Sequence, residues 1–407
     1  MHDVRSVVIV GANLAGMTAA RVLAGRVAAK VYDPSPALEW LPNIHELLSG
    51  LKRPHNLRLE RGPLLARYGH DWHRQRVAHI DSHRHQITLD DGTTQAFSQL
   101  ILCVGGVHQS FAVPGALQHA LPFKSVADCQ QIAMRLQRLA SRPGPMRVTI
   151  VGGGIEGVEA LGEILRRYGR RPGLQIRLLD SAPRLLRELP PSLDGALRKH
   201  CQQWPVELQL GQRVAVVHED CVVLEDGESL PSDMVIWTGG VAAHPLIGAS
   251  HLNDPSGFAP VADTLLSDHA DSVFVVGDGV STVAGERLPK QGYHAIDMGK
   301  LAARNLMAVR AGRALAPFHP AVKPQLITFG EIDTFLVSGN RVIASPSLRL
   351  LKEAIYQAGL ADFDRRRQGR RLWGAWRRLL DSGIDAVIDR LQQPSRWLRR
   401  PRFRVLE

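Results

Sequence analysis

The stretch VVIVGANLAG at residues 7–16 is an apolar run of strand length closed by a glycine turn, and it recurs as RVTIVGGGIEG at 147–157. The surroundings recur as well. After the first copy an Ala-rich helical stretch reaches about Leu23 and KVYD ends on Asp33; after the second, VEALGEILRR leads to QIRLL and Asp180. Strand, glycine turn, helix, strand and acid, in that order, are the parts of a dinucleotide-binding unit. The first glycine turns the chain out of the strand, the second lets the backbone approach a pyrophosphate, and the third lets the helix pack on the strand. The helix N-terminus then offers unpaired N–H groups to the phosphates. These roles fall on Gly11, Asn13 and Gly16, where Asn13 replaces the middle glycine, and on Gly152, Gly154 and Gly157. Asp33 and Asp180 are placed to accept hydrogen bonds from an adenosine ribose. One such loop is an ordinary tight turn; two in the same context, 141 positions apart, predict an α/β protein with two Rossmann-like domains.

The 407 residues, 44% of them hydrophobic, suffice for more than one core. Apolar runs such as LILCV (100–104) and MVIW (234–237) have strand length, far short of the ~18 residues of a spanning helix. The N-terminus passes straight into a strand with no signal-peptide pattern, so a cytoplasmic location is expected. Cys103, Cys129, Cys201 and Cys221 lie far apart with no metal or disulfide spacing and read as buried thiols. The histidines around His79, His83 and His85 read as a solvated loop, and no metal site is expected. An acid at Asp180 favours a free 2′-hydroxyl, hence NADH over NADPH, although Arg184 is near in sequence.

Further along, SVFVVGDGVS (272–281) is an apolar strand ending in Gly277-Asp278, and LILCVGG (100–106) and MVIWTGGV (234–241) are glycine-ended strands carrying Gly105 and Gly240. With the N-terminal motif these segments resemble the two-dinucleotide-domain flavoproteins. The resemblance implies FAD on the first motif and NADH on the second, with Asp278 on the ribityl chain of the flavin. Within that superfamily the chain is similar to the type II NADH dehydrogenases, over roughly residues 5–345. LEWLPNIHELLSG (38–50) looks like their flavin-lining segment and contributes Pro42. GGGIEGVEALGE (152–163) looks like their NADH motif and ends in Glu163, which the resemblance places beside the flavin and nicotinamide. At the positions of that family's Ala-Gln pair and of its later Gln pair at the quinone pocket the chain departs from the pattern, with Gly292-Tyr293 and Asp297-Met298, and Lys290-Gln291 lies just before them. Gln291 and the helix that starts near it are expected at the reduced edge of the flavin. The expected domains are an FAD domain (1–115 and 246–335), an inserted NAD(P)H domain (116–245) and a C-terminal region (336–407). The expected reaction is hydride transfer from NADH to FAD, then electron delivery to a quinone.

The net charge of +11 is concentrated at the end of the chain: from Ser347 onward, 15 basic side chains face 7 acidic ones. Within RRLWGAWRRLLDSGIDAVIDRL (370–391), Leu372, Trp373, Trp376, Leu379, Leu380, Ile384, Val387, Ile388 and Leu391 recur at three and four residues, giving one apolar face opposite an arginine-rich one. Two tryptophans among arginines suit the surface of an anionic membrane, so residues 347–407 are expected to dock the protein peripherally on the inner face of the cell membrane. Internal packing and a homodimer interface are the alternative uses of that face. Nucleic acid is not expected, because the basic tail carries no fold for base readout. Two other functions share these motifs: a soluble reductase of a small electron-transfer protein, and an NADH-binding flavoprotein with a regulatory role.

Overall fold

The computed structural model describes residues 6–285, 288, 290–321, 323–364 and 403–406. The amphipathic segment 370–391 therefore lies outside the described residues. The two motif regions form as the sequence predicts. The first is β1 (Val7–Val10), α1 (Leu14–Leu23) and β2 (Ala29–Tyr32), followed by β3 (Gln99–Leu102). The second is β4 (Met146–Val151), α2 (Ile155–Tyr168), β5 (Leu174–Asp180) and β6 (Met234–Trp237). Next come β7 (Ala270–Val275) and α3 (Gly292–Arg310). Every residue of β1, β3 and β6 is buried, the mark of strands covered on both faces of a parallel sheet.

The chain divides into two compact units. In the first (Met1–Trp40, Arg58–Val107, Val241–Ala321), β1 lies between β2 and β3, and β7 pairs with β3, all in parallel, within an eight-stranded sheet. In the second (Leu41–Leu57, His108–Gly240, Val322–Glu407), β4 lies between β5 and β6 in a five-stranded parallel sheet. That unit also contains a three-stranded antiparallel sheet within residues 214–231 and a four-stranded sheet with its helix. The latter holds β8 (Gln325–Phe329), β9 (Asp333–Ser338) and β10 (Arg341–Ala344), then α4 (Leu348–Phe363) and β11 (Arg404–Leu406), which pairs antiparallel with β10.

The boundaries differ from the sequence expectation in three places. The segment expected to line the flavin belongs from Leu41 onward with the second unit, where His45, Ser49 and Lys52 are bonded to side chains of α2 and α4. No break falls at residue 335, since β9 and its partners run through it. The expected docking tail also starts too early, because Leu348, Lys352, Leu360 and Phe363 of α4 are buried. The histidine loop is a further correction. His79 lies in a strand (Val77–Asp81) of an antiparallel hairpin, and only His83 and His85 occupy the turn. Among the described residues, no helix is long and apolar enough to cross a membrane, and no cluster could hold a metal ion.

Candidate functional site

In each unit the glycine loop sits where the chain leaves the central strand and the sheet order reverses, the place where open α/β sheets bind ligands. Gly11 has φ +86°, and a Cβ there would lie 2.6 Å from Cys103 O at the end of β3. Gly152 has φ +116°, and its Cβ would lie 2.6 Å from Thr238 Oγ1 and 2.9 Å from Gly239 N at the end of β6. Both cradles exist only because a side chain is missing. Neither α1 nor α2 has a side-chain cap at its N-terminus, which leaves backbone N–H groups free to hold an anion.

Asn13 does not project across this approach. Its Oδ1 accepts from Glu39 N at 3.0 Å. In the second loop a Cβ on Gly154 would meet nothing within 4 Å, so the backbone is open to a pyrophosphate. Glu156, in the first turn of α2, is drawn aside by Lys124 at 2.7 Å.

The two acids expected at a ribose are each bonded to their own loop. Asp33 accepts from Ala12 N (2.7 Å) and Ser35 N (2.9 Å), and Asp180 accepts from Gly153 N and from Ala182 N (2.7 Å). Each carboxylate therefore holds its own glycine loop in shape. Asp33 is also paired with Arg61, whose side chain is 2% exposed and reaches Ala12 O at 3.0 Å and Ala37 O at 2.8 Å. Nothing near Asp33 in sequence announced Arg61. Arg184 donates to Leu189 O and Arg187 O in its own loop.

Elsewhere in the first unit, Gly105 (φ +69°) and Gly277 (φ +86°) turn the ends of β3 and β7. The turns adjoin, since a Cβ on Gly106 would lie 3.5 Å from Asp278 Cβ. Gly277 N donates to Met298 Sδ of α3 at 3.4 Å. Gln291 is the residue just before α3, and its Oε1 is buried with no hydrogen-bond partner among the described residues. The structure thus brings Gly11, Asn13, Gly16 and Asp33 together around one loop, and Gly105, Gly277 and Asp278 around another. Orphaned carboxamide oxygen, missing side chains and open N–H groups fit the dinucleotides the sequence implies.

In the second unit, Gly152, Gly154, Gly157 and Asp180 form the matching loop, while Gly240 (φ +74°) ends β6. Pro42 lies in a short turn, Leu41–Asn43, ahead of the helix Glu46–Ser49. That helix docks on α2. Glu163, 1% exposed, accepts from Ser49 Oγ and from Arg166 Nε at 3.1 Å, so it is no surface residue. Burial pushes its carboxyl up to about 7, against the opposing pull of Arg166 and Ser49.

One turn earlier, Glu159 is the hub of a buried cluster that sequence reasoning missed. It bonds Lys352 Nζ, Thr328 N at 3.1 Å and Thr328 Oγ1 at 3.2 Å, and its Oε2 lies 3.2 Å from His45 Nδ1. Burial and the Lys352 charge hold His45 well below the usual histidine range, so it is neutral there. Burial works against the Lys352 ammonium, yet Glu159 and the other groups around it keep its pKa above the ordinary lysine value.

Comparison with known proteins agrees with this architecture. Residues 5–299 match the family model described as pyridine nucleotide-disulphide oxidoreductase. Demethylphylloquinone reductase NdbB of Synechocystis sp. is 25% identical over 305 residues, 72% of this chain and 75% of that protein. A type II NADH:quinone oxidoreductase of Staphylococcus epidermidis is 23% identical over 310 residues, 70% of this chain and 77% of that protein. Among solved structures, NDH2 from Plasmodium falciparum in complex with NADH superposes with a TM-score of 0.76 at 12% identity, covering 88% of this chain and 94% of its own.

Proposed function

The chain belongs to the pyridine nucleotide-disulphide oxidoreductase family, and from that premise we propose that it is an NADH:quinone oxidoreductase that works through FAD. The observation that carries the reading is the pair of glycine cradles, each braced by its own aspartate and each at the reversal point of a parallel sheet. FAD would be held by the Gly11–Gly16 loop, Asp33, Gly105, Gly277 and Asp278. NADH would be held by the Gly152–Gly157 loop, with Asp180 on its adenosine ribose and Gly240 at the opposite end. With Arg184 tied to its own loop, Asp180 presents negative charge to the 2′-position, which favours NADH over NADPH.

The flavin supplies the two-electron chemistry when bound; the chain binds, orients and sets the local field. The Gly152 loop fixes the pyrophosphate through backbone N–H groups, and α2 carries Glu163 at its third turn. A carboxyl with a pKa of about 7 can hold or release a proton near neutrality while Arg166 and Ser49 fix its orientation. The N–H groups at the start of α3, with Gln291 just before them, favour negative charge at the flavin they are expected to face.

Two of the three relatives carry quinone chemistry in their names, which supports a quinone acceptor. Docking on an anionic membrane surface is proposed for the basic segment 365–402 rather than for everything after Ser347, because α4 is packed. A homodimer remains open to the same segment. The test is anaerobic stopped-flow of the FAD-loaded protein: NADH should reduce the flavin rapidly, and a short-chain ubiquinone or menaquinone analogue should reoxidise it. A flavin that NADH reduces but that ignores quinones would remove the acceptor and leave a carrier-protein reductase. Sluggish reduction would point to the regulatory reading.

A further inference from the structure

Phe111 is a 62% exposed aromatic residue held in a conformation that side chains avoid. It and Ala112 have φ +54° and +56°, two consecutive left-handed residues without a glycine. The ring is not held there by burial. The Trp237 indole N–H donates both to Gln109 O (3.0 Å) and to Gly239 O (3.1 Å), clamping the 109–111 loop over the end of β6. Phe111 N donates to Gln109 Oε1 at 3.2 Å. The phenyl ring lies against Gly240: a Cβ there would sit 2.7 Å from Phe111 Cε2, so any side chain would evict the ring. Gly239 is in turn the residue whose backbone N abuts Gly152 in the glycine cradle.

Position in the sheet says which part of a nucleotide the ring would meet. β4 ends at the pyrophosphate loop, β5 with Asp180 lies on one side of it, and β6 lies on the other. Asp180 marks the adenosine half. The end of β6, with Phe111 over it, therefore flanks the nicotinamide half.

We propose that Phe111 is a binding residue for the nicotinamide half of the nucleotide, its exposed ring forming an aromatic wall on which the nicotinamide packs. The inference rests on the reading of the second cradle as the NADH site. Offset aromatic packing suits the dihydronicotinamide, and the positively charged ring of NAD+ adds a cation–π component. The strained loop holds the ring in place before the ligand arrives, so less order is lost on binding.

The test uses full-length, FAD-loaded protein with Phe111→Leu and Phe111→Tyr, titrated calorimetrically with NAD+ and with ADP-ribose, which lacks the nicotinamide. F111L is expected to weaken NAD+ binding about 3- to 10-fold and to leave ADP-ribose nearly unchanged, with F111Y close to wild type. In stopped-flow, F111L should raise the NADH concentration for half-maximal flavin reduction by a similar factor. Equal loss of both ligands would make Phe111 a purely structural residue and overturn the proposal, as would unchanged NAD+ affinity. Wild-type protein that binds neither ligand would instead remove the NADH reading of the cradle, and the proposal with it.

Discussion

Lys352 and Glu159 are bonded to each other across 193 positions of sequence, and both side chains are buried. The pair ties α4 to α2, the helix that follows the second glycine loop. Burying two charges is costly, and the surrounding Thr328 and His45 contacts satisfy what the pair leaves open. Removing one partner strands the other. Lys352→Met is expected to destabilise the protein by about 3–5 kcal/mol, while the double variant Glu159→Gln/Lys352→Met should cost clearly less. Urea unfolding midpoints of the four proteins of this cycle decide the matter; additive losses would mean that the pair is not a unit.

Glu163 gives stability a particular dependence on pH. The folded carboxyl keeps its proton up to about pH 7, whereas the ordinary value is 4.5, so between these values the folded state binds more protons than the unfolded one. Stability contributed by this group is complete below the lower value and is lost as pH rises through the upper one. Glu163→Gln has no such proton to lose. From pH 5 to pH 8 the wild type should lose up to about 3 kcal/mol that the variant keeps. Parallel stability profiles for the two proteins would refute a raised carboxyl.

Asp180 should matter for both the loop and the choice of nucleotide. In Asp180→Ala the Gly153 and Ala182 N–H groups lose their acceptor and the 2′-position loses its negative neighbour. NADH efficiency is expected to fall at least tenfold, and the ratio of kcat/KM for NADH over NADPH to narrow by a similar factor, as steady-state assays with both nucleotides would reveal. An unchanged ratio would take specificity away from this residue.

Replacing 365–402 by a Gly/Ser linker that keeps β11 should leave the fold and flavin reduction intact and abolish cosedimentation with anionic vesicles. Truncation at Ser347 should instead unfold the second unit, because it removes Lys352 and Phe363 from the interior. Vesicle binding that survives the linker replacement would place docking elsewhere.

The parts of this molecule that could be read in its sequence are those built from local patterns. Gly11, Gly152, Asp33 and Asp180 announce themselves because strand, turn, helix and acid follow one another within about thirty residues. Arg61 and the partners of Glu159 do not, because nothing local marks a residue that closes a contact from far away. Lys352 looked like one more charge in a basic tail, and only packing reveals it as an interior group. The His79 segment misled for a related reason: its histidines disguised a strand whose register shifts between Val77 and His79, and in which Val77 and Ile80 are buried while Ala78 is exposed.

All four cysteines are free, and burial pushes the thiols of Cys103 and Cys201 well above their ordinary range. The family takes half its name from disulphides, yet no disulphide joins any of the four cysteines here. A bound flavin would then be the sole reservoir, holding two electrons at most. Donor and acceptor must take turns at it, and flavin reduction by NADH should be indifferent to thiol-alkylating reagents.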